Sequence, residues 1–288
     1  MAAPPPQPPS RSALVVAHPG HELRVHGWLE RARPTVFVLT DGSGHGRGSR
    51  LASTERLLRG AGAIPGSIFG RFADRQIYQL LLEGDTAPLQ DLARELATAF
   101  VATGVDVVAA DALEGYNPGH DLCRVLTDAA VALASGRTGE PIASYEFPLA
   151  GPPDACPAAL RSATLHLTLD DAALARKLAA AHAYPEMAEE VERALAGHGE
   201  ESFRVECLRP VGLGAGVSEI AERAGSPPFY ETYGERQVAA GHYRYVLRLK
   251  EHFLPAARAL AELARLSGSP HPLAAATSPS PSPTTPST

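Results

Sequence analysis

Two tetrapeptides carry the chemistry this chain could do: His18-Pro19-Gly20-His21 and Asn117-Pro118-Gly119-His120. Each follows a short apolar run and opens a segment of helical character. His18 and His21 are close enough for one loop-to-helix turn to aim both imidazoles at a single point, and His120 could join them from a neighbouring strand end. Three neutral imidazoles with open positions make a catalytic type of metal arrangement, suited to zinc or iron(II). An H-x-x-H spacing is also met among ordinary loop residues, and the chain has 11 His. Asp41, in Asp41-Gly42 after a second apolar run, is placed to serve as a base; its plain role is that of a turn residue. The loop Gly42-Ser43-Gly44-His45-Gly46-Arg47-Gly48 offers backbone amides, with Arg47 and then Arg50 as cations for an anionic group on the substrate. It has neither the spacing nor the position of a dinucleotide fingerprint.

The elements that must hold these residues can be read from the apolar pattern. Ala13 to Ala17, Thr35 to Leu39 and Val105 to Ala109 are short continuous apolar runs, the mark of strands buried on both faces. Helical spacing separates them over Glu22 to Ala32, Arg50 to Gly60 and Pro88 to Thr103. This alternation predicts an α/β, Rossmann-like three-layer sandwich with a mostly parallel sheet. Ligands of such sheets sit beyond the carboxyl ends of the strands, where His18, His21, Asp41 and the stretch from Glu114 to Asp121 fall. Further strands are expected at Ser144 to Phe147, Ala163 to Leu169 and Phe203 to Leu208. A helix capped by Asp170 should run to His182, and one long helix should run from about Glu235 to Leu266.

The same motifs resemble those of the PIG-L/LmbE family of metal-dependent deacetylases, over roughly residues 12 to 210. A buried strand ends in Ala17-His18-Pro19, a second in Thr40-Asp41-Gly42, and a later Asn117-Pro118-Gly119-His120 opens a helix. An Arg/Glu-bearing helix at Arg50 to Glu55, Asp74 after Ile68 to Phe72, and the stretch Lys177 to His182 fit as well. The resemblance implies a Rossmann-like fold, a bound zinc and hydrolysis of an N-acyl group from an amino sugar or related biosynthetic intermediate. Its first motif, His-Pro-Asp-Asp-Glu, reads His18-Pro19-Gly20-His21-Glu22 here. His18 then matches a metal ligand and His21 replaces a ligand Asp. Gly20 stands where the general base should be. In the second motif, His-Pro-Asp-His, His120 matches the third ligand. Asn117 replaces a His that polarises the carbonyl, and Gly119 replaces an Asp. Losing a general base costs about 10²–10⁴-fold in rate unless another group takes the proton. Asp41 is the expected replacement, with Asn117 donating to the oxyanion. Two other readings stay open: a three-His iron(II) enzyme doing oxygen chemistry on a small metabolite, and a non-catalytic binding protein on the same fold.

Composition limits the partners. The chain has 288 residues, 44% hydrophobic and 20% charged, enough for one sizeable core. A net charge of −6 leaves no basic surplus for nucleic acid. No apolar run is long enough for a membrane span. Cys123, Cys156 and Cys207 form no C-x-x-C pair, so the expected setting is cytoplasmic and the partner a small molecule. Residues 1–11 are rich in proline and 267–288 in Ser, Pro and Thr, and both are expected to be disordered. They flank a single domain over 12–266, with a helical extension from about 225. The aromatic run from Phe229 to Tyr245 could stack on a sugar ring or close the cleft of a partner subunit in a homo-oligomer; its plain role is to anchor the last helix.

Overall fold

Ser12–Val16 forms β1, and its side chains alternate between two apolar layers. Ala13 and Val15 pack with one cluster, Leu14 and Val16 with the other, and all four are fully buried. A strand with helices on both faces has no polar side, so its sequence is an unbroken apolar run. The computed structural model describes residues 11–44, 48–155, 162–211 and 227–268. All of the expected proline-rich leader except Arg11, and most of the expected Ser/Pro/Thr tail, lie outside the described residues, as do Arg47 and Cys156.

The strands are β1, β2 (Thr35–Thr40), β3 (Ile64–Phe72), β4 (Val107–Asp111), β5 (Ala143–Phe147), β6 (Leu165–Thr168) and β7 (Val205–Pro210). They lie in the order β3-β2-β1-β4-β5-β7-β6. The first five are parallel, and β7 runs antiparallel to both β5 and β6. The helices are α1 (His26–Ala32), α2 (Leu51–Ala61), α3 (Asp74–Glu83), α4 (Ala87–Thr103), α5 (Pro118–Thr138), α6 (Asp171–His182), α7 (Ala188–His198), α8 (Phe229–Ala239) and α9 (Leu254–Gly268). Helices α4, α5 and α9 cover one face of the sheet, and α1 and α2 the other. This is the expected mostly parallel, Rossmann-like three-layer sandwich.

The chain leaves β1 toward β2 on one side and returns from β3 to β4 on the other. The crevice of such a fold therefore opens between the carboxyl ends of β1 and β4. The single long helix expected from Glu235 to Leu266 is not formed. Helix α8 stops at Ala239, Gly241 takes a positive φ of 76°, and a π turn at Leu249–Phe253 leads into α9. Glu231 of α8 accepts a hydrogen bond from the amide of Leu249 at 2.5 Å, which fixes the second segment against the first.

Candidate functional site

The crevice holds the three histidines. His18 leaves the end of β1, His21 opens a 3₁₀ turn (His21–Val25), and His120 lies in the first turn of α5 after β4. Their ring centroids are 4.5 to 5.2 Å apart and the rings meet edge to face. The three imidazoles singled out by spacing therefore meet in the structure. Two carboxylates orient them. His18 Nδ1 donates to Asp74 Oδ1 at 3.0 Å and to Thr40 Oγ1 at 2.8 Å, because the Thr40 hydroxyl itself donates to the Ala17 carbonyl. His21 Nδ1 pairs with Asp111 Oδ2 at 2.8 Å, and that oxygen also accepts from the Ala17 amide. Asp111 ends β4 and Asp74 opens α3, so both orienting groups come from element ends around the crevice. His120 Nδ1 is buried and has no hydrogen-bond partner among the described residues.

Electrostatics follow from burial. Desolvation holds His21 and His120 well below the ordinary imidazole pKa, and the neighbouring imidazoles lower them further. Burial also raises Asp111 to about 7, against the pull of the Ala17 amide. In Asp74 burial acts upward too. Hydrogen bonding and charge from His18, with help from Thr40 and Gly44, outweigh it and hold the carboxyl well below the carboxylate range.

The expected metal does not fit this arrangement. Among the described residues no group of three or more His, Cys, Asp or Glu side chains could hold a metal ion. The rings instead pack on one another's edges, with centroids 4.5 to 5.2 Å apart. This corrects the expected zinc, its iron(II) alternative and the metal-dependent hydrolase built on them.

The other expected site residues are spread around the crevice. Asn117 is the N-cap of α5. Its Oδ1 accepts from the Gly119 amide at 2.7 Å and from the Tyr78 hydroxyl at 3.3 Å. Asp41 closes a tight turn, accepting from both the amide and the hydroxyl of Ser43, the latter at 2.6 Å. The Arg50 side chain packs over Gly42, and its buried Nε has no partner among the described residues.

The glycines in the motifs have steric reasons. Gly20 adopts φ 106°, and a Cβ there would overlap the Met187 thioether. The space that a side chain at position 20 would take is filled by methionine from the segment leading into α7. Sequence reasoning missed this, because no signal links positions 20 and 187.

Glu22, beside these residues, is fully buried. It accepts from the Gly20 amide and the Thr54 hydroxyl, each at 2.8 Å. Desolvation outweighs those bonds and raises it from an ordinary 4.5 to about 7. Between those values the folded chain keeps a proton that the unfolded chain has lost, so stability falls as pH rises through the window. The stability of the wild type minus that of Glu22→Gln should therefore drop by about 2 kcal/mol from pH 4.5 to 7, measured by urea denaturation. A flat difference would show that the carboxylate is hydrated in the fold.

An α/β sheet with an imidazole cluster at its topological switch is thus the class that fold and site define. No protein-family model and no curated protein matches this chain. Solved structures do. The conserved protein TT1542 from Thermus thermophilus superposes with a TM-score of 0.51 at 20% identity, over 71% of this chain and 95% of that one. The A40926 pseudoaglycone deacetylase Dbv21 gives 0.47 at 18% identity, over 72% and 98%. The zinc-inhibited form of the teicoplanin deacetylase Orf2 gives 0.43 at 10%, over 70% and 97%. The first of these likenesses shows a shared fold.

Proposed function

We propose that this chain is a small-molecule-binding protein, its ligand seated by a polar group on the His18, His21 and His120 cluster. The observation that carries the reading is at Gly20. The imidazoles are gathered and held by carboxylates, while the place beside them that would suit a hydrolytic base is filled by the Met187 thioether. Buried imidazoles with one unpartnered nitrogen can receive a ligand's hydrogen bonds. Asn117 uses its oxygen to cap α5, which leaves its amide nitrogen for a ligand oxygen, and the charge of Arg50 acts on His21. A cytoplasmic setting belongs to the same reading and is supported by the buried, free thiol of Cys123.

Native mass spectrometry of the purified chain tests the proposal. A small organic molecule should be retained, and should be lost from His21→Ala and His120→Ala while their circular dichroism stays that of the wild type. Release of an acyl group from an N-acylated amino sugar, abolished by His21→Ala, would overturn it in favour of catalysis.

A further inference from the structure

Beside the imidazole cluster lies a cavity of about 300 Å³, at the small end of the range for small-molecule sites. His21, His120, Tyr116 and Arg24 line it near the strand ends, and Lys177 of α6 and Glu190 of α7 are the charged residues on its other side. The remainder is built by Leu23, Leu178, Ala181, Val191, Leu195 and Phe203, from the 3₁₀ turn, α6, α7 and the turn before β7. Helix α7 has no fully buried residue: Ala194 and Leu195 pack in part against the small cluster of Leu169, Ala173, Leu174 and Phe203, and Val191 and Leu195 also line this cavity.

We infer that the ligand of this cleft is amphipathic, with a neutral polar head on the imidazoles and a single alkyl or acyl chain in the adjoining cavity. The inference rests on the reading of the cleft as a binding site and names the class of its ligand. Its first support is that the imidazoles stand at one end of a lining that is otherwise mostly hydrocarbon, the Lys177 ammonium being turned to Glu206 and the Arg24 carbonyl. The second is Met187, which overlies Gly20 and continues the apolar wall up to the imidazoles. The choice of a neutral head follows from the charges nearby. The Asp111 and Asp74 carboxyl groups stand directly behind His21 and His18, and Glu190 lies in the cavity wall. Arg24, in the cavity wall, already directs Nε and Nη2 to the carbonyls of Pro148, Leu149 and Gly151, and Lys177 is held by Glu206. Hydroxyl or amide N–H groups suit the unprotonated imidazole nitrogens better than a carboxylate would.

Titration calorimetry with hexanol, octanol and decanol, below their solubility limits, tests this. Burial of each methylene should tighten binding about fourfold, so decanol should bind on the order of 10²-fold tighter than hexanol. Ala181→Trp should abolish the dependence on chain length by filling the cavity. Should that variant fold poorly, Val191→Ser, on the cavity face of α7 and outside the core clusters, should reduce the gain per methylene measurably. Decanoate should bind at least tenfold more weakly than decanol. Equal or tighter binding of decanoate would overturn the neutral head. An affinity that does not change with chain length, yet still depends on His120, would overturn the inference and leave the cleft reading standing. No binding of any alkanol would also overturn it, and the retained molecule in native mass spectrometry then judges the cleft separately.

Discussion

Replacing Lys177 by Met should destabilise the chain by about 4 kcal/mol, because it strands a buried carboxylate. Lys177 on α6 and Glu206 on β7 are 2.8 Å apart, with side chains 4% and 0% exposed. The Lys177 ammonium also donates to the Arg24 carbonyl at 2.8 Å. Glu206 in turn accepts from the amides of Gly27 and Trp28, at 2.8 and 2.7 Å, in the first turn of α1. One ion pair thereby joins α6, β7, α1 and the turn that carries His21. Burial lowers the lysine pKa, and the attraction of Glu206 opposes that shift. Without the ammonium, Glu206 keeps two amide donors but no countercharge. A drop in melting temperature of roughly 10 °C should follow, read by calorimetry together with urea denaturation. Adding Glu206→Gln to Lys177→Met should restore part of the loss, since a neutral amide still accepts from α1. A single-variant loss below about 1 kcal/mol would mean that water reaches Glu206, as it does exposed pairs.

Which parts of this arrangement could be read from sequence follows from how each is buried. Strands β1, β2 and β4 lie inside the sheet and write themselves as apolar runs, whereas β5, next to the antiparallel β7, carries Ser144 and Glu146 and is only partly buried. Strand β3 is an edge, largely exposed along its length, and carries Pro65, Gly66 and Gly70, so its sequence resembles a loop. Helix α7 has no fully buried residue, and only Ala194 and Leu195 pack in part against a small satellite cluster, so its apolar stripe is short. The break between α8 and α9 hides because the residues around Gly241 keep enough helical character to suggest continuation. At the site, the gathering of the three imidazoles was legible, since each follows a strand that ends at the crevice. Their orientation was not. Asp111 reads as the last residue of a strand and Asp74 as the start of a helix, and only the fold puts them behind His21 and His18. The metal expectation failed because residue types and order suggest ligands, whereas among the described residues no group of three or more His, Cys, Asp or Glu side chains is arranged to hold a metal ion.

Gly20→Asp should cost about 4 kcal/mol and bring no hydrolysis, although it writes the missing acid back into the motif. Two separate effects make up the loss. A non-glycine residue at φ 106° is strained by about 1–3 kcal/mol. Its Cβ also overlaps the Met187 thioether, and overpacking of this kind costs a further ~1–3 kcal/mol. A carboxylate there would in addition stand beside Glu22 and Asp111, whose buried carboxyls are themselves raised to about 7. The two contributions can be separated. Met187→Ala should cost less in the Gly20→Asp background than in the wild type, because it removes the overlap while the backbone strain stays. A coupling of about 1–3 kcal/mol in the double-mutant cycle would assign that share to the thioether. No coupling would mean that Met187 can swing aside, and position 20 would then be open space beside the imidazoles rather than part of an apolar wall. The glycine and the methionine are in this sense one feature: the residue that leaves room and the residue that takes it. Together they turn the side of the crevice where a base would stand into a surface that prefers hydrocarbon to water.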